Sequence, residues 1–348
     1  MSFCLPILGL FKHKRYLIYL QIISSLAEGG ITRQTHSNLH CINVNDIRQI
    51  LLNHTCSTST TTNQQLHRVH SDSSHSKMAY DVKQAAIGVE IRGINLNEPV
   101  SEDLIKRFKE DVHKHRLLIF KDQGVVGGER HAEISSWFGE LESTFYKHPR
   151  STHPDVFRVS NDEREGCRNV GRTGWHIDGS FMRAPFAFAL YHMVSVPKSG
   201  NTDFVPLKDL VESLSLETRQ RWERLWMVSD RRSSLIHPLI YPHPVTRHPT
   251  LCFHLGMTES FIWDLGTEKA RETDMNETVQ ILKEIHREIT KDNRRLVYSH
   301  KWEVGDFIIS DNLSVGHEAT PETQHPRSEV GLRVLHRTTV KGTHEPKK

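Results

Sequence analysis

An imidazole and a carboxylate, His176 and Asp178, stand two residues apart in GWHIDGSF, residues 174–181. In extended chain, residues two apart face the same way, so the pair aims at one point while Ile177 turns away. One imidazole and one carboxylate are two-thirds of a 2-His-1-carboxylate facial triad, which leaves open positions on a non-haem Fe(II) centre. Alone, the triplet reads equally well as a hydrogen-bonded strand pair. The chain has 24 histidines, and similar triplets recur at His70/Asp72, His153/Asp155, His131/Glu133 and His286/Glu288. The first lies in unpatterned sequence, the second carries a proline and reads as a turn. The last two lie in helical stretches, where positions two apart diverge. Only His176/Asp178 combines an extended context with flanking aromatics, Trp175 and Phe181, and a glycine at 179.

Further along, EVGDFIISDNLSVGHEAT, residues 303–320, runs from an apolar strand through a polar turn to His317, a third donor. In LRVLHRTTV, residues 332–340, Arg333 and Arg337 are four apart and so share one face of a strand. Two guanidiniums on an inner face are costly unless an anion meets them. A dicarboxylate would satisfy at least one through bidentate hydrogen bonds. The opposing reading turns both arginines to solvent on an edge strand.

The elements that must position these residues begin near residue 84. AAIGVEIRGINL (85–96) alternates as a strand does. SEDLIKRFKEDVHKH (101–115) starts a helix, with Ser101 as N-cap and two acids in the first turn. RLLIFKDQ reads as a buried strand, ERHAEISSWFGEL (129–141) as a helix and VFRVS (156–160) as a strand. Strands then dominate, at 186–196, 296–302, 306–310 and 332–340, with helices near 208–227 and 275–290. This is an α+β pattern, mainly β, with helices beside a sandwich or barrel.

Bulk properties narrow the function further. Of 348 residues, 36% are hydrophobic and 25% charged, ordinary for a globular chain. The net charge of +3 and the lack of a basic stripe with interleaved aromatics give no nucleic-acid footprint. Five scattered cysteines without C-x-x-C exclude a disulfide scaffold or zinc ribbon. Residues 1–77 differ from the rest: seven Lys/Arg against three acids, and an unpatterned Ser/Thr-rich stretch at 57–76. They read as a disordered or targeting extension, with 78–348 as the catalytic domain. A mitochondrial transit peptide and a secretory signal are rival readings. The apolar run 16–27 is shorter than the ~20 residues of a membrane span. Only Cys167 and Cys252 follow residue 77, so the expected location is cytoplasmic, with mitochondrial the alternative. A homo-oligomer is left open.

Five motifs in order carry a resemblance: WHIDGSF, SGNTDF (199–204), HPVTRHPTL (243–251), W-x-x-x-D-x-x-x-x-D-N-x-x-x-x-H from Trp302 to His317, and LRVLHRTTV. Together they resemble the Fe(II)/2-oxoglutarate-dependent taurine dioxygenase family, which includes 2,4-dichlorophenoxyacetate dioxygenase, from about Ile87 to Val340. The resemblance implies a double-stranded β-helix, or jelly-roll, core with flanking helices. It implies Fe(2+) held by His176, Asp178 and His317, with 2-oxoglutarate and O2 as co-substrates. It points to Thr202 and Arg333 for 2-oxoglutarate, and to Arg337 for co-substrate or an anionic substrate group. Asn312 is a candidate to orient the ligands, and Trp175 is a candidate wall of the site or a core residue.

Departures from the taurine enzyme appear at its substrate contacts, where this chain offers Thr144, Lys147 and Arg172, and in a longer loop between His317 and Arg333. The substrate implied is a small organic molecule, anionic in character, and these departures argue against taurine. Two readings compete with an active dioxygenase. One is a catalytically silent jelly roll that binds 2-oxoglutarate or a small acid. The other is a zinc or manganese isomerase or hydrolase on the same ligands.

Overall fold

The structure is a computed structural model that describes residues 80–142, 147–171, 174–230 and 235–348. The segment 1–77, Thr144 and Arg172 lie outside the described residues. No helix among the described residues is long and apolar enough to cross a membrane.

The described strands form four sheets and no closed barrel. The largest has seven strands in the order Asp81–Gln84, Val89–Arg92, Leu117–Phe120, Phe307–Asp311, Phe188–Ser195, Val334–Val340, Phe157–Ser160. Only the pair Val89–Arg92 and Leu117–Phe120 runs parallel in this sheet. A three-stranded sheet, Tyr298–His300, Thr202–Pro206, Val315–Ala319, packs against one face. Two helices, Glu102–His115 and Gly128–Ser136, cover the other.

This layering explains why Leu117–Phe120 is apolar at every position. Leu117 and Ile119 face the sandwich with Tyr191, Phe204 and Ile308, while Leu118 and Phe120 face the helices with Phe108 and Ile134. A strand covered on both faces loses the apolar/polar alternation. A third core joins Trp175 and Ile177 to Trp222, Phe253 and the helix Met275–Arg294. Trp175 is therefore a fully buried core residue.

Several sequence-expected elements are shorter or divided. The stretch 85–96 is a hairpin end rather than one strand: Asp81–Gln84 pairs back onto Val89–Arg92. Gly88 makes the turn at φ +83°, where an added Cβ would lie 2.4 Å from the Leu117 carbonyl oxygen. The 129–141 helix stops at Ser136, because Trp137, Phe138 and Gly139 bond back three residues instead of four. The side chains of Trp137, Phe138 and Leu141 still dock on the helix-side core, which mimics helical periodicity. The 208–227 stretch divides into Leu207–Glu212, Leu216–Glu223 and the strand Leu225–Ser229. Ser215 breaks it by capping the second helix, its hydroxyl accepting from the Thr218 N–H.

Candidate active site

Val315–Ala319 is the strand that carries His317, on the edge of the three-stranded sheet next to Thr202–Pro206. His176 joins it as a single rung, not as part of a strand. Its N–H donates to the His317 carbonyl at 3.0 Å, and the His317 N–H donates back at 2.9 Å. Beyond this rung the chain turns at Asp178–Ser180 instead of continuing extended. Gly179 allows the turn at φ +75°; a Cβ there would sit 2.9 Å from the Phe186 nitrogen. Asn312 fixes Asp178 by accepting from its N–H at 2.9 Å and donating to its carbonyl at 2.9 Å.

The result brings His176, Asp178 and His317 together, all buried, with their donor atoms within 4.8 Å of one another. Asp178 lies 3.9 Å from His176 Nε2 through Oδ1 and 3.6 Å from His317 Nε2 through Oδ2. His176 Nδ1 sits 2.7 Å from the Gly174 carbonyl, so it donates there and leaves the Nε2 lone pair toward Asp178. Burial lowers the pKa of both imidazoles, His317 to about 3, so both stay neutral. Burial alone would raise Asp178, but Arg337, His317 and His176 outweigh it and hold the carboxyl below its ordinary value. Two neutral imidazoles and one ionised carboxylate are the donor set that a divalent iron takes. The residues present therefore fit the metal.

Thr202 pairs with Ala319, and Phe204 with His317, so Thr202 shares the His317 face of its sheet. Its hydroxyl accepts from Trp302 Nε1 at 3.0 Å. Alternation along Val334–Val340 sets Arg333 and Arg337 on the side of Leu335, which lies in the sandwich core. This strand lies between Phe188–Ser195 and Phe157–Ser160, which excludes an edge strand with solvent-facing arginines. Arg333 is 2% exposed, and its Nε has no partner. Arg337 instead donates to Asp178 Oδ1 at 2.7 Å, a contact that residue spacing does not reveal. Lys147 is exposed.

Sequence reasoning also missed Tyr191 and His254. The Tyr191 hydroxyl lies 3.3 Å from both Asp178 Oδ2 and His317 Nε2. Its signal was available: a tyrosine in an apolar strand needs a polar partner. The His254 ring stacks on His176 at 4.5 Å and 21°. Of the competing triplets, His131 and His286 lie in helices, and His153 makes a turn in which its Nδ1 accepts from the Asp155 N–H.

The sequence profile of the taurine catabolism dioxygenase TauD, TfdA family matches residues 56–339. The chain belongs to this family. It is accordingly a dioxygenase, an oxidoreductase. The match begins at residue 56, within the segment set apart above. Among curated relatives, an alpha-ketoglutarate-dependent 2,4-dichlorophenoxyacetate dioxygenase of Cupriavidus pinatubonensis is 25% identical over 257 residues. That alignment covers 67% of this chain and 88% of the relative. Pentalenolactone F synthase of Streptomyces arenae is 24% identical over 271 residues, covering 67% and 86%. Among solved structures, a taurine dioxygenase from Burkholderia xenovorans superposes with a TM-score of 0.61 at 24% identity. It covers 76% of this chain and 92% of its own. AAD-2 in complex with Mn(II) and N-oxalylglycine gives 0.62 at 21% identity, covering 78% and 100%.

Proposed function

We propose that this dioxygenase hydroxylates an unactivated C–H bond of a small organic acid, and that the sandwich is the core of a double-stranded β-helix. Bound by His176, Asp178 and His317, Fe(II) supplies with 2-oxoglutarate the activation of O2 that turns substrate C–H into C–OH, releasing succinate and CO2. The chain's own residues prepare that site. The Gly174 carbonyl fixes the His176 tautomer, burial keeps His317 neutral, and Arg337 keeps Asp178 ionised. Arg333 and Thr202 receive the far carboxylate of 2-oxoglutarate, and Phe157 and Phe204 are buried in the sandwich core.

The observation that carries this reading is Arg333. Burial lowers its guanidinium pKa only to about 10, so it is charged at neutral pH, yet it has no carboxylate partner among the described residues. A buried cation without a counter-ion is strongly unfavourable unless a ligand supplies one. The anionic substrate rests on Arg337, whose Nε is also without a partner, and on the 2,4-dichlorophenoxyacetate named for the relative.

The test is O2-dependent succinate release from 2-oxoglutarate over a panel of small carboxylates, sulfonates and their neutral amides. Acids should stimulate release and Asp178→Ala should abolish it. Equal background release from wild type and variant, with every compound, would overturn the reading.

A further inference from the structure

The fold gathers a second His–Asp–His cluster from three segments. His113 sits on the helix Glu102–His115, Asp311 ends the strand Phe307–Asp311, and His243 opens the turn between strands Ile240–Pro242 and Pro249–Leu251. His113 Nδ1 lies 2.8 Å from Asp311 Oδ2, and His243 Nε2 lies 3.2 Å from Asp311 Oδ1. Their donor atoms also fall within 4.8 Å of one another. Two roles compete: a second metal site, or a hydrogen-bonded support.

The protons decide between them. His243 Nδ1 accepts from the N–H groups of Val245 and Thr246, each at 3.1 Å. A neutral imidazole that accepts at Nδ1 carries its proton on Nε2, where it points at Asp311. A metal ligand would need a lone pair there, and moving the proton to Nδ1 would set it against two backbone donors. Asp311 Oδ1 accepts a further N–H, from Leu313 at 3.2 Å. Burial acts to raise Asp311, but its bonds to His113 and His243 hold its pKa at about 2, so it stays an acceptor.

The consequence falls on the next residue. Asn312 is 1% exposed, and its side chain makes three bonds: one from the Asp178 N–H, one to the Asp178 carbonyl and one to the Phe186 carbonyl at 2.7 Å. It ties both ends of the turn that follows His176. The amide can reach all three only while the 311–314 turn holds its shape, and that turn is closed by Ser314 N–H on the Asp311 carbonyl at 3.0 Å.

We propose that His113, Asp311 and His243 form a positioning network that holds the Asn312 clamp and, through it, the backbone of Asp178. This rests on the reading of Asp178 as a metal ligand. None of the three touches the reacting atoms. Residues that orient metal ligands from outside typically change affinity 10–100-fold.

The test is Mn(II) titration of the full chain, followed by the electron paramagnetic resonance of free ion, well below each protein's unfolding temperature. Wild type should bind one equivalent. Asp311→Ala and His243→Leu should raise Kd tenfold or more. His243→Gln, whose amide N–H can replace Nε2–H, should stay within about threefold of wild type. His113→Ala, at a partly exposed helix position, should show a smaller rise and serves if Asp311→Ala does not fold. Variants with lower unfolding temperatures but unchanged Kd would overturn the network and leave the proposed function standing. So would a His243→Gln as weak as His243→Leu. Two equivalents in wild type, one lost with His243→Leu, would overturn it in favour of a second metal site. A folded wild type that binds no Mn(II) would overturn both it and the proposed function.

Discussion

Arg333→Met replaces the buried guanidinium with an uncharged chain of similar length, and it should move stability and co-substrate affinity in opposite directions. Burial drops the Arg333 pKa from 12.5 to about 10. At 1.36 kcal/mol per unit this is ~3 kcal/mol of unfavourable burial of the charged form, an upper bound on what the substitution relieves. The side chain gives up no hydrogen bond to a described residue, so the ligand-free protein should unfold at the same temperature or a few degrees higher. The bound co-substrate tells the opposite story. Losing one partner of a buried charge pair costs ~2–5 kcal/mol, so 2-oxoglutarate should bind at least ~30-fold more weakly. Calorimetric unfolding of Mn(II)-loaded protein reads both quantities. At 100 times Kd, 2-oxoglutarate stabilises wild type by ~2.7 kcal/mol, and the same concentration should stabilise the variant by no more than ~0.9 kcal/mol. A variant that is less stable without ligand and still shows the full 2-oxoglutarate shift would refute the reasoning.

Three further outcomes follow from the geometry. Tyr191→Phe keeps the ring but removes the hydroxyl between Asp178 and His317, so Mn(II) affinity should fall roughly three- to tenfold with little loss of stability; unchanged affinity refutes the contact's role. Gly179→Ala places a Cβ against the Phe186 nitrogen at positive φ, and should destabilise by ~1–3 kcal/mol in urea denaturation. A variant as stable as wild type would show that the turn is not constrained as described. The buried His131, His192 and His336 all have pKa values lowered chiefly by burial, His336 to about 3. The unfolded chain therefore binds protons first as pH falls below ~6.5, and stability should decline by up to ~1.4 kcal/mol per unit per histidine; a flat profile from pH 7 to 5 contradicts their burial as neutral groups.

How much of this was legible in the sequence differs by element. The helix at 102–115 was readable because Ser101 and two first-turn acids mark its start locally. The sandwich strands were readable as apolar runs, but their pairing depends on contacts far apart in sequence. His176 and Asp178 were found by assuming a strand, whereas the chain forms one rung and then turns. A single extended residue pair suffices to align the two side chains. Arg337 on Asp178, Tyr191 between two donors and the His113–Asp311–His243 network were not legible. Each joins residues from separate segments through side-chain direction, which periodicity alone does not give. The 129–141 helix was overextended because residues docking through a tight turn kept apolar spacing.

One spectrum tests the iron site most directly. Anaerobic addition of Fe(II) and 2-oxoglutarate to the full chain should produce a weak visible charge-transfer band at one iron per chain. His176→Ala, as well folded as wild type by circular dichroism, should lack it. No band with folded wild-type protein, or an undiminished band in His176→Ala, would contradict the proposed iron site.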